Sequence, residues 1–79
     1  MTDPNEQLTR IVGIIARIGE LAAVQPGQDF YDAGFVSVKA LPLLMELEDQ
    51  FGVTIPDERF INARTASDLD QLVRSLHQQ

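Results

Sequence analysis

The sequence offers little that could do chemistry unaided. It has no Cys and a single His, His77, which sits in a polar tail. A metal site needs convergent ligands, and a nucleophile needs a positioned base. Neither set can be assembled here, so neither a metal centre nor an enzyme is expected. The densest acidic cluster is Glu46, Glu48 and Asp49. Paired carboxylates can act as general acid and base, but only where a buried cleft separates their pKa values. A chain of 79 residues has little room for such a cleft, so a charged outer face is the expected role. Ser37 stands where a long connection meets a Leu-rich segment. Taken alone, that is the place of a helix N-cap, where Ser is strongly favoured.

The elements that would hold these residues are helical. Asp3, Pro4 and Glu6 form an acidic start signal for a first helix. Leu8, Ile11, Val12, Ile15, Ile18 and Ala22 then recur at helical spacing. Gly13 and Gly19 each cost about 1 kcal/mol relative to Ala, so packing must sustain this helix. A turn at Gln25-Pro26-Gly27-Gln28 opens a connection that runs to about Val36, with Phe30, Tyr31 and Phe35 able to pin it down. A second helix is predicted from about Ser37 to Phe51, stopped by Gly52. Val53-Thr54-Ile55 reads as an extended link, and Pro56 and Asp57 open a short helix through Phe60 and Ile61. Thr65 and Asp68 start a last helix with Leu69, Leu72, Val73 and Leu76 inside and Asp70, Gln71, Arg74 and Ser75 outside. The predicted fold is all-α: one domain over residues 1–79, a small bundle of three long helices and one short one, with a long loop between the first two.

The second helix carries more apolar surface than one core needs. Ala40, Leu43, Leu44, Leu47 and Phe51 share one arc, which we assign to the core. Val38, Leu41 and Met45 share an adjoining arc with Glu48 inside it and Asp49 at its edge. An acid inside an apolar arc marks that arc as partly exposed. Val38, Leu41 and Met45, ringed by Glu46, Glu48 and Asp49, are therefore the expected docking face. Pro42 lies within the first turns of this helix and calls for relief. Either the helix bends near Val38, or regular helix begins nearer Leu41 and leaves Ser37 in the loop.

Charge narrows the partners. Seven acids and one base, Lys39, lie between Asp29 and Glu58, within a net charge of −6. This acidic middle repels phosphate backbones and anionic lipid and attracts basic protein surfaces, so neither nucleic acid nor membrane is an expected partner. No apolar run approaches the roughly 20 residues of a membrane span. The polar, acidic N-terminus is unlike a signal peptide, and a cytoplasmic protein is expected.

The stretch Asp29-Phe30-Tyr31-Asp32-Ala33-Gly34-Phe35-Val36-Ser37-Val38 resembles the attachment-site motif of acyl and peptidyl carrier proteins. So do Leu47-Glu48-Asp49-Gln50-Phe51-Gly52-Val53, Ile55-Pro56-Asp57 and the later Thr65 with Asp68-Leu69. The resemblance implies 4′-phosphopantetheine, drawn from coenzyme A and joined to the Ser37 hydroxyl by a phosphopantetheinyl transferase. The arm's thiol would hold an acyl or aminoacyl group as a thioester. A loading enzyme and downstream biosynthetic enzymes would be the further partners of a monomeric carrier. Such a role also explains a chain without a catalytic set, since the reactive sulfur is added later. Several residues depart from the family pattern. Val36 stands where fatty-acid carriers usually have Asp, Lys39 and Pro42 replace their early acids, and only Gly34 matches the paired Gly of peptidyl carriers. The chain thus resembles a specialised free-standing carrier for an amino acid or a short acyl unit. The competing expectation is an unmodified interaction module, in which Ser37 only caps a helix and the acidic face binds a partner.

Overall fold

The computed structural model describes residues 5–78. The expected start signal at Asp3 and Pro4 lies outside the described residues. Four α-helices follow one another: α1 (Glu6–Gly19), α2 (Ala40–Phe51), α3 (Asp57–Asn62) and α4 (Ala66–His77), with a 3-10 turn over Ser37–Lys39 before α2. Three long helices and one short one, with a long connection after the first, match the predicted bundle. No described helix is long and apolar enough to cross a membrane.

Helix α1 is shorter than its apolar stripe. It ends at Gly19 because Glu20 adopts the left-handed conformation (φ 55°), its N–H donating to the carbonyls of Ala16 and Arg17. Leu21 N–H closes the end on Ala16 O at 2.9 Å. Ala22 is therefore not helical, and the chain leaves the helix with Leu21 packed on the core. Ile11, Ile14 and Ile15 are buried, while Leu8, Val12 and Ile18 pack at the margin.

Leu43, Leu44 and Leu47 bring the core arc of α2 onto Ile11 and Ile15, and Leu69, Leu72 and Val73 close the core from α4. Thr65 caps α4, its Oγ1 accepting from Asp68 N–H at 3.0 Å. One expectation for α4 is corrected. Asp70 is 9% exposed and faces α1. Gln7 Nε2 donates to Oδ1 at 2.7 Å and Arg74 Nε to Oδ2 at 3.0 Å, which satisfies the buried carboxylate. His77, expected as a solvated tail residue, belongs to α4, and its Nε2 lies 2.8 Å from Phe51 O at the end of α2.

Pro42 is relieved by the second of the two routes. Because α2 begins at Ala40, Pro42 is its third residue, and an N–H there would have had no partner inside the helix. The 3-10 turn absorbs the chain before it, with Lys39 N–H donating to Val36 O at 3.0 Å. Pro in a helix interior costs about 3 kcal/mol. Here Pro42→Ala should shift stability by less than about 1 kcal/mol, read from denaturant midpoints. A gain near 3 kcal/mol would show that the proline is strained after all.

Candidate functional site

The loop before Ser37 is a built structure. Asp29 Oδ1 accepts from Tyr31 N–H at 2.9 Å and Asp32 N–H at 3.2 Å, folding the chain back on itself. Ala33 N–H returns to Asp29 O, Gly34 N–H to Tyr31 O and Phe35 N–H to Phe30 O. Gly34 takes φ +114°, which L side chains rarely adopt, so the tight return depends on it. Phe30 and Phe35 are buried edge to face with centroids 5.3 Å apart, and the Tyr31 ring meets Phe35 at 90°. The other end of the loop is tied to the α3–α4 link. Asp29 pairs with Thr65 in an isolated antiparallel bridge, and Phe30 N–H donates to Arg64 O at 3.0 Å.

This scaffold delivers Ser37 to the surface. Val36 is extended (φ −82°, ψ 140°) and occupies the cap position, so Ser37 is the first residue of the 3-10 turn and not the helix N-cap that its residue type implied. Its carbonyl accepts from Ala40 N–H, while its side chain is exposed and makes no hydrogen bond among the described residues. Lys39 Nζ reaches back to Glu20 Oε2 at 2.7 Å and ties the turn to the end of α1. That contact holds the Glu20 carboxyl below its usual pKa.

Beside Ser37 opens a groove of about 620 Å³ between the Phe30–Phe35 loop, α2 and α3. Ala40, Leu41, Leu44, Phe60 and Ile61 give it apolar walls, and Tyr31, Asp57 and Arg64 supply its polar groups. An exposed, unbonded hydroxyl at the edge of a largely apolar groove fits a long, flexible, mostly neutral group bonded to that hydroxyl.

The second arc of α2 lies outside the core: Val38 is 82% exposed, Leu41 62% and Met45 60%. Two further apolar residues are exposed, Val36 before the 3-10 turn and Ile61 on the wall of the groove that Leu41 also lines, and neither was expected to be. Ile61 fell on a short helix whose few residues carry no legible period, and Val36 followed an aromatic that was itself bound for the core. The acids of this region divide. Glu46 pairs with Arg17 at 3.2 Å and accepts from Gln50, and Glu48 accepts from Ile55 N–H at 2.9 Å. Asp49 is exposed and its side chain makes no hydrogen bond or ion pair among the described residues. Asp29 and Arg64 also went unassigned by sequence reasoning. For Asp29 the signal was present, an Asp two and three residues ahead of a turn's amides.

Comparison with known proteins agrees with this geometry. The family model for a phosphopantetheine attachment site matches residues 9–73. Meromycolate extension acyl carrier proteins of Mycobacterium tuberculosis and Mycobacterium bovis are each 28% identical over 82 aligned positions, spanning 96% of this chain and 71% of theirs. The Mycobacterium leprae protein of the same name is 28% identical over 75 positions, spanning 87% of this chain and 65% of its own. The chain therefore belongs to the phosphopantetheine attachment-site family, the carrier proteins, which are not themselves catalytic and whose cofactor is covalent 4′-phosphopantetheine.

Proposed function

We propose that Ser37 is the attachment residue, and that residues 1–79 act as one monomeric carrier domain that takes an acyl or aminoacyl unit from a loading enzyme to downstream enzymes. The observation that carries this reading is the Ser37 hydroxyl itself, exposed, released from capping and set at the edge of the groove. Attachment forms a bond from Ser37 Oγ to the pyrophosphate phosphorus of coenzyme A that bears the pantetheine. The bond to the nucleotide half breaks, the adenosine bisphosphate leaves, and the hydroxyl proton passes to a base on the transferase. The bound group supplies a terminal thiol on which the unit is held as a thioester. The chain's own part is to present Ser37 on a fixed turn, which the Phe30–Phe35 scaffold and the Lys39–Glu20 pair hold in place. Intact mass after incubation with a phosphopantetheinyl transferase and coenzyme A, followed by peptide mapping, tests the reading. One added group on the peptide containing Ser37 is expected. An unchanged mass with several broad-scope transferases would leave an unmodified interaction module instead.

The partner enzymes are proposed to dock on Val38, Leu41 and Met45, whose exposure flanks the attachment turn. Glu46, Glu48 and Asp49 form the acidic edge of this face, and a partner with a basic rim suits it. Reversing Glu46 or Glu48 would also break the Arg17 contact or the Ile55 N–H bond, which mixes docking with stability. Asp49→Lys has no such side effect. It should slow association with the cognate loading enzyme several-fold at low salt and flatten the salt dependence, with an unchanged melting temperature. Loading kinetics that do not respond to Asp49→Lys or to Leu41→Ala would exclude this face.

A further inference from the structure

Of the six Lys and Arg residues in the chain, only Lys39 is a lysine. It stands two residues past Ser37 on the same 3-10 turn, which places the two Cα atoms about 4 Å apart along the turn axis. A guanidinium stays protonated and is no nucleophile, whereas an amine with a free lone pair attacks acyl carbonyls. Lys39 Nζ is thus the one side-chain amine of the chain, set beside the point from which the arm swings. A unit tethered at Ser37 meets it at an effective concentration on the order of millimolar, with no enzyme needed.

Glu20 is set against this encounter. Its Oε2 accepts from Lys39 Nζ at 2.7 Å, and no other described side chain bonds that nitrogen. Glu20 is also the only described non-glycine residue at positive φ (55°), a helix-ending position where Gly or Asn is usual. Gly there would end α1 with less strain, but it would leave Lys39 without its carboxylate. From this arrangement we infer that Lys39 is an intramolecular acyl-acceptor site and that Glu20 restrains it, which protects the carried thioester from being lost as an amide. In the unrestrained reaction the Nζ lone pair attacks the thioester carbonyl carbon and the C–S bond breaks. A proton from the nitrogen passes through solvent to the departing thiolate, so the products are an N-acyl-lysine and a free arm thiol. In the ammonium paired with Glu20 that lone pair holds a proton and cannot attack. The Glu20 side chain is 82% exposed, so the restraint is that of a surface ion pair, roughly two- to fivefold in rate.

This inference rests on attachment at Ser37, and the experiment separates the two. Apo chain is loaded by a broad-scope transferase with butyryl-coenzyme A, peptide mapping confirms the arm on Ser37, and the carrier is held in mildly alkaline buffer. Transfer leaves the intact mass unchanged, so two reagents read it. A maleimide, applied first, adds to a free thiol; hydroxylamine then removes a thioester but not an amide. A species that takes up maleimide, resists hydroxylamine and holds butyryl on the Lys39 peptide is expected, formed at a rate independent of carrier concentration. Glu20→Gln should raise that rate roughly two- to fivefold. Lys39→Arg, which keeps a cation for Glu20 but removes the nucleophile, should abolish it. The chain's terminal amine is the internal reference: general loosening of the turn would raise its acylation too, and loss of the Glu20 pair would not. No butyryl-Lys39 in the unsubstituted chain or in Glu20→Gln, a rate that scales with carrier concentration, or equal rates with and without Glu20 would overturn the inference while Ser37 attachment stands. Failure to load at Ser37 would overturn both.

Discussion

Ser37→Ala should abolish attachment of phosphopantetheine while leaving the fold as stable as before. The two halves of that expectation come from the same geometry. The 3-10 turn is capped by Val36, and the Ser37 hydroxyl neither caps a helix nor bonds any described group, so its removal breaks no contact. Exposed substitutions of this kind stay within about 0.5 kcal/mol. An N-cap serine would behave differently, because its loss costs about 1 kcal/mol. Attachment is all or none, since no other oxygen takes the place of a missing nucleophile at the same turn. Ser67 and Ser75 lie on α4, where Ser67 is partly buried at the first turn and Ser75 Oγ accepts from Arg59. Intact mass and thermal melting of the same sample test both halves. Residual modification of the variant would move the attachment site elsewhere. Lost modification with a melting temperature lower by several degrees would show that Ser37 is structural as well.

The helices were legible because their period was. The core arc of α2 and the inner face of α4 repeat at helical spacing, and each lies where that spacing put it. Ser37 and the exposed Val38, Leu41 and Met45 could be singled out because their surplus apolar surface sits beside a serine at a loop boundary. Three features were not legible. The end of α1 at Gly19 depends on Glu20 accepting a left-handed conformation that Gly or Asn would have announced. Asp70 looks like a surface acid until Gln7 and Arg74 arrive from α1 and from one turn on. The Arg64–Asp29–Tyr31 arrangement joins residues far apart in the chain, and no local pattern encodes such a meeting.

The loop that delivers Ser37 hangs on one ring. Phe35 is 2% exposed, two residues before Ser37, and wedged against Phe30 and Tyr31. It also lies against α1 at the only kind of residue that admits it. A Cβ on Gly19 would come within 2.6 Å of Phe35 Cδ2 and 3.2 Å of Cε2. Phe35→Ala should cost about 3–5 kcal/mol. For a domain whose stability is on the order of 5 kcal/mol, that leaves about 0–2 kcal/mol, so up to about half of the molecules would be unfolded. Gly19→Ala alone gains about 1 kcal/mol of helix propensity. It loses about 1–3 kcal/mol to overpacking, because the ring is boxed in by two other aromatics and cannot yield cheaply. The two substitutions should therefore not add. With Phe35 gone, the methyl that Gly19→Ala introduces meets space where the ring had been, and the helix keeps its propensity gain. The double variant should be at least as stable as Phe35→Ala alone, a favourable coupling of about 1–3 kcal/mol. Urea denaturation of the four chains measures it, with Phe35→Leu in place of Phe35→Ala should the latter be too unfolded for a baseline. Effects that simply add, within about 0.5 kcal/mol, would mean that Gly19 serves some purpose other than seating the ring that precedes the Ser37 turn.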